Sequence, residues 1–260
     1  MGIGYDVFGN VAMIKFDRSV SAKDKKKFAC EFLKNHRNIT TVLEKVGGFS
    51  GRLRTQKTKW LAGDKTKEAL YRENGCVFRL NVDTCYFSPR LSEERKEMAK
   101  VVKKNEDVLV MFGGVAPFAI VIAKNSKAGK VVSVEISREC SKYALTNVKR
   151  NKLDNVEIVQ GDVRKVVGKG KKVDEKFDRI VMARPNLKDS FLDVAFQVVR
   201  KNGFIHYYGF YEDDKVDEMK EMIKEEAVKA KKKIKILKVK KAGDVGVRKF
   251  RFRVDFKVLN

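Results

Sequence analysis

Two acids in this chain follow apolar runs, where packing alone gives them little reason to be. Glu135 closes the run at 131–134, and Asp162 follows the run at 156–159 after Gly161. Upstream, a first apolar run at 108–112 breaks into Gly113-Gly114 and leads to a helix-like segment from about Pro117. Strand, glycine turn, helix, strand, acid is the order of a nucleotide-binding α/β half-unit. The glycines let backbone approach a ligand closely, and the acid ending the second strand is placed to take two ribose hydroxyls. Ala116 stands where a dinucleotide fingerprint would put a further glycine. The pattern therefore suits S-adenosylmethionine, which carries a ribose but no phosphate. Glu135 is hard to explain structurally, whereas Asp162 has a plain alternative, because Gly-Asp is ordinary turn chemistry.

Such acids need a sheet to carry them. Further strands are expected at 177–182, 204–208, 234–239 and 250–258, with helices at 138–149, 190–200 and 215–231 between them. This alternation predicts an α/β fold, a doubly wound and mostly parallel sheet with an antiparallel end. A right-handed crossover then puts the ligand at the carboxyl ends of the first, second and fourth strands. Residues 1–84 read as a small α+β module and 85–260 as the cofactor domain. In the module, a strand is expected at 11–16 and a helix at 22–33, with Asn74-Gly75 as a hairpin cue. Trp60 reads as core rather than as a stacking platform. Pro89 biases Ser88 toward extended backbone, and Ser92 is placed to cap a helix running to about Lys104.

The 260 residues carry a net charge of +24, which points to a polyanionic partner, nucleic acid first. The lysine-rich stretch 229–233 is either an RNA contact or a solvated helix end. Four cysteines without a CxxC pair, together with two histidines, make a zinc site improbable and read as reduced thiols of a cytosolic protein. No apolar run approaches the ~20 residues of a membrane span.

Six stretches carry a family resemblance: YRENG (71–75), YFSPRLSEER (86–95), MFGGVAPFAI (111–120), NVKRNKLDNV (147–156), GDVR (161–164) and IHYY (205–208). In order and spacing they resemble the tRNA guanine-37 N1-methyltransferases of archaea and eukaryotes, in the archaeal form. The chain begins near the family's middle module, so the extra N-terminal module of longer members is expected to be absent.

The resemblance implies a seven-stranded Rossmann-like methyltransferase sheet, S-adenosyl-L-methionine as cofactor, and a cytoplasmic monomer that binds the tRNA anticodon stem-loop without metal or membrane. Guanine N1 carries a proton that must leave as the methyl arrives, and charge builds on O6. The family's glutamate base maps onto Glu94, and its charge-stabilising arginine best matches Arg54. The cofactor is expected at Arg95, at Phe112, Gly113, Gly114 and Pro117, at Glu135 with Ile136, at Asp162 with Val163, and at Ala183 and Pro185. Glu135 would take the ribose and Asp162 the adenine amino group.

Plainer roles compete with these. Glu94 sits in a charged helix start, where an acid complements the helix dipole. Arg54 suits a phosphate contact nearly as well, and His206 reads as structural. Two departures stand out. The family's Asn-Leu-Pro loop is here Ala183-Arg184-Pro185, with Asn186 beyond the proline, and Ala116 adds a methyl group expected to narrow the cofactor pocket. Two rivals follow: the aminocarboxypropyltransferase of wybutosine synthesis, which uses the same cofactor, and a catalytically silent RNA-binding relative.

Overall fold

The structure, a computed structural model, describes residues 4–183, 187–246 and 248–260. Its first sheet has the order β1-β2-β3-β4, built from β1 (Tyr5–Phe8), β2 (Val11–Ile14), β3 (Thr41–Lys45) and β4 (Thr58–Gly63). β2 and β3 run parallel, joined by helix α1 (Ala22–Asn35). Ser21 starts that helix by accepting the amide of Asp24, which satisfies one of the first-turn donors. Phe32 and Ala29 of α1 then pack on Ala12, Ile14, Val42 and Leu61. Trp60 departs from the expectation of a core residue. It is 37% exposed on β4, and its indole N–H donates to the Asp64 carbonyl.

A hairpin follows, β5 (Glu68–Glu73) and β6 (Cys76–Asn81). Asn74 and Gly75 both take positive φ (47° and 70°), as a two-residue turn matched to strand twist requires. The hairpin, counted with the smaller module in the sequence, is fastened to the larger one. Helix α4 (Arg138–Arg150) presents Asn147 and, one turn on, its C-cap Asn151. The Asn147 amide accepts from Arg79 N (2.7 Å) and donates to Arg79 O (3.1 Å). Asn151 does the same with Val77, at 2.9 and 2.8 Å. Two side chains thus complete the edge of β6.

Helix α2 (Ser92–Val101) begins at its expected cap rather than after it. Pro89 opens a 3-10 turn, Pro89–Leu91, that runs straight into the helix, so Ser92 lies inside it. The Ser92 hydroxyl and carbonyl accept instead from the Asn74 side chain. The helix ends at Val101, short of Lys104.

The second sheet comprises β7 (Val108–Met111), β8 (Val131–Glu135), β9 (Val156–Gln160), β10 (Phe177–Met182), β11 (Val199–Glu212), β12 (Ile234–Gly246) and β13 (Lys249–Val258). Helices α3 (Pro117–Asn125), α4 (Arg138–Arg150), α5 (Val163–Val166), α6 (Leu192–Val198) and α7 (Val216–Lys229) connect them. The order is β12-β13-β11-β10-β7-β8-β9, parallel from β9 to β11, with β13 antiparallel to both β11 and β12. This is the seven-stranded, mostly parallel sheet expected. β7 is buried on both faces. Val108 and Val110 point into one cluster, Leu109 and Met111 into the other, so the strand reads as a continuous apolar run. Strand order reverses between β7 and β10, and the crevice outside their carboxyl ends is where such sheets bind ligands.

Candidate cofactor and substrate site

After β7 the chain turns through Phe112, Gly113 and Gly114 before α3 begins at Pro117. Gly113 is fixed by contact: a Cβ there would lie 2.1 Å from Ser133 Oγ. Gly114 takes φ 57° and aims its N–H at Glu135 Oε2, 2.7 Å away. The other Glu135 oxygen accepts from Ser137 N, also at 2.7 Å. Burial raises the pKa of this carboxyl against the pull of those backbone donors. A half-buried carboxylate fixed by two backbone amides keeps lone pairs free for a hydroxyl-bearing ligand.

Two recesses meet at Glu135 and Ile136. The larger is also lined by Gly113, Gly114, Pro117 and Phe118, by the loop residues Tyr86, Phe87 and Ser88, and by Leu91, Arg95, Ala183 and Tyr208. The smaller lies between Phe112, Val163, Leu187 and Phe191, with Asp162 and Arg52 at its edge. Its apolar walls suit a flat aromatic base. A ribose at Glu135 would leave the base here and the rest of the cofactor in the larger recess, so the residues present fit S-adenosylmethionine.

Of the residues singled out in the sequence, Arg54, Arg95, Phe112, Gly113, Gly114, Pro117, Glu135, Ile136 and Ala183 line the larger recess. Asp162 and Val163 line the smaller. Pro185 and Asn186 lie outside the described residues. Ala116 differs from expectation: its methyl group packs in the apolar core rather than narrowing the cavity, and its cost is a left-handed backbone at φ 65°.

Three side chains have duties that the sequence did not reveal. Asp162 caps α5 through Arg164 N and pairs with Arg52 at 2.6 Å across the two modules. Burial alone would raise its pKa, but Arg52 and the Arg164 amide hold it below the usual value. Arg95, 1% exposed, forms a bidentate pair with Glu73 and donates to the Ser88 carbonyl at 3.1 Å. It thereby braces the 86–91 loop, with Phe87 and Phe118 beside its guanidinium. Arg54 stacks on Tyr86, 3.7 Å from the ring centroid, with Phe49 at 5.6 Å.

Glu94 is not among the residues that line the cavity. It stands one layer behind, where its carboxylate meets Arg253 at 2.5 Å and Lys240 at 2.8 Å. Tyr208 does line the cavity, and its hydroxyl donates to Glu94 at 3.1 Å. Arg253 continues to Asp255, Asp255 to His206 at 2.6 Å, and His206 to Arg179 at 2.7 Å. Burial lowers the His206 pKa, in keeping with a structural role. Tyr208 and Arg251, which also lines the cavity, went unrecognised as site residues. The IHYY stretch held a signal for Tyr208, and nothing in the sequence marked Arg251.

Residues 69–237 match the TRM5/TYW2 methyltransferase domain. The tRNA (guanine(37)-N(1))-methyltransferase Trm5b of Pyrococcus abyssi is 34% identical over 98% of this chain and 74% of that protein. The Nanoarchaeum equitans tRNA (guanine(37)-N(1))/4-demethylwyosine(37)-methyltransferase Taw22 is 32% identical over 97% of this chain and 99% of its own length. A crystal structure of wild-type Trm5b from Pyrococcus abyssi superposes with a TM-score of 0.86 at 32% identity, over 99% of this chain and 75% of that one. A complex of aTrm5 with tRNALeu gives 0.83 at 29%, over 99% and 72%.

Proposed function

As the chain belongs to the TRM5/TYW2 methyltransferase family, we propose that it transfers a methyl group from S-adenosylmethionine to N1 of guanosine 37 in tRNA. The observation that carries this reading is the half-buried Glu135 carboxylate, held by Gly114 N and Ser137 N where the two recesses meet. Glu135 binds the ribose hydroxyls, and Phe112, Ile136 and Val163 enclose the adenine, with Asp162 toward its amino group. Gly113, Gly114 and Pro117 let the backbone approach, and Ala183 lines the same recess. Arg95 acts by bracing the loop above the cofactor.

When bound, the cofactor supplies a methyl group made electrophilic by its sulfonium. The protein must hold guanine N1 in line with it and remove the N1 proton. Arg54, carried on Tyr86, faces the charge that builds on O6. Glu94 is the final proton acceptor. Because Tyr208 lines the cavity and Glu94 does not, the proton passes through the Tyr208 hydroxyl: N1 gives its proton to the phenol oxygen, and the phenol proton moves to Glu94. Arg253 and Lys240 keep Glu94 in position to receive it. The reading includes a metal-free monomer in the cytoplasm, built of the two modules, with the anticodon stem-loop as its ligand. Among the described residues, no helix is long and apolar enough to cross a membrane.

The test is nucleoside mass spectrometry of an unmodified tRNA transcript incubated with protein and S-adenosylmethionine. One methyl gained on guanosine, lost when position 37 is changed, supports the reading. An aminocarboxypropyl gain, or no gain, would replace it with one of its rivals.

A further inference from the structure

Arg251 lies on β13, is only 8% exposed, and lines the cofactor recess. A guanidinium this deeply buried ordinarily has an anionic partner, because desolvating an unpaired charge is costly. Among the described residues Arg251 has none. Its guanidinium lies instead by the ring of Phe210, 5.1 Å from centroid to guanidinium carbon. The other buried arginines differ. Arg95 holds Glu73, Arg179 holds Glu106, and Arg253 holds Glu94 and Asp255.

A second recess opens beside the first, between the N-terminal sheet, the 86–90 loop and the adjoining ends of β12 and β13. The two recesses share Arg54, Tyr86, Phe87, Ser88 and Arg251, so Arg251 stands at their junction. The second recess is basic, with Lys45, Arg90 and Lys249 joining the two shared arginines. Of its acids, Asp6 is taken up by Lys45 and Arg90, and Asp244 makes no ion pair with Arg251.

We propose that Arg251 binds a backbone phosphate next to the target guanosine as the nucleotide chain enters through this second recess. A planar guanidinium matches two phosphate oxygens at once. The phosphate would supply the counter-charge that the fold leaves out. The inference rests on the tRNA reading above. The cofactor's carboxylate is the other oxyanion in reach, and the experiment separates the two.

Binding of an anticodon stem-loop RNA is measured across salt concentrations for wild type, Arg251→Gln and Arg251→Lys, with S-adenosylmethionine affinity measured by calorimetry in parallel. Arg251→Gln should weaken RNA binding about ten- to a hundredfold. It should also flatten the salt slope by roughly 0.7–0.9, the share of one phosphate contact, and leave cofactor affinity unchanged. Arg251→Lys should keep the slope while losing affinity, and it serves alone if Arg251→Gln fails to fold. Loss of cofactor affinity with RNA binding intact would move the guanidinium to the carboxylate and overturn the proposal, as would no change in either. Wild-type protein that ignores the stem-loop would bring down the tRNA reading and this proposal with it.

Discussion

Tyr208 and Glu94, 114 positions apart in sequence, share one hydrogen bond of 3.1 Å between a residue that lines the cavity and one that does not. If that bond carries the N1 proton, Tyr208→Phe should slow single-turnover transfer by about 10²–10⁴, the scale of a lost general base. Glu94→Gln should do the same, and the double variant should be little slower than either. In Tyr208→Phe the rate should keep climbing with pH, because N1 must then ionise by itself. A wild-type rate in Tyr208→Phe would show that the proton leaves by another path.

Glu135→Ala should abolish measurable S-adenosylmethionine binding in calorimetry. It removes the ribose acceptor and leaves Gly114 N and Ser137 N without their partner. Asp162→Asn should weaken binding less, since Asp162 is already shared with Arg52 and the α5 cap. Unchanged affinity in Glu135→Ala would remove the ribose assignment.

His206 is one of two histidines, the other being exposed His36, so its titration should be readable in stability. Burial lowers its pKa from 6.5, which means the unfolded chain takes up that proton more readily than the folded one. Its contribution is therefore complete above pH 6.5 and is lost as pH falls below that value. The thermal midpoint of the wild type should start to drop near there, and His206→Gln should flatten this part of the profile. An unchanged profile in the variant would assign the drop to other groups.

Gly113 and Ala116 should respond in opposite ways. Gly113→Ala places a Cβ 2.1 Å from Ser133 Oγ and should cost about 1–3 kcal/mol in denaturant unfolding, as overpacking does. Ala116→Gly relieves left-handed strain but loosens the unfolded chain, two terms of about 1 kcal/mol that oppose each other. Its stability should barely move and its cofactor affinity should stay the same, because the Ala116 methyl group faces the core. A gain in affinity would restore the view that this methyl group narrows the pocket.

The sheet and the residues lining the recess at its switch point were legible because they are local. The 108–112 run, the Gly113-Gly114 turn and Glu135 are read within a few dozen residues, and periodicity alone separates strand from helix there. The position of Glu94 was not legible. Its neighbours Arg253 and Lys240 come from the last two strands, and no pattern in the sequence announces that those strands close over α2. Arg251 was hidden for the same reason: it is one cationic residue in a basic strand until the fold shows which side of β13 is enclosed. The Arg52–Asp162 pair joins a turn of the first module to a helix cap of the second, a contact of 110 positions that spacing cannot reveal.

The pairing of Asn147 and Asn151 with β6 bears on how this chain can be divided. A fragment starting at residue 85 would keep both asparagines but lose Val77 and Arg79, leaving two amides at the end of α4 to face water or one another. It would also strip Glu73 from Arg95, stranding a buried cation under the cofactor loop. The hairpin is thus a graft that the catalytic half cannot shed. A cut ahead of the hairpin, between β4 and β5, would spare these contacts but break Leu70 N to Asn10 (2.8 Å) and Gln56 to the Val82 carbonyl (2.7 Å), and split a core that Phe8, Val11, Met13 and Leu43 share with the hairpin.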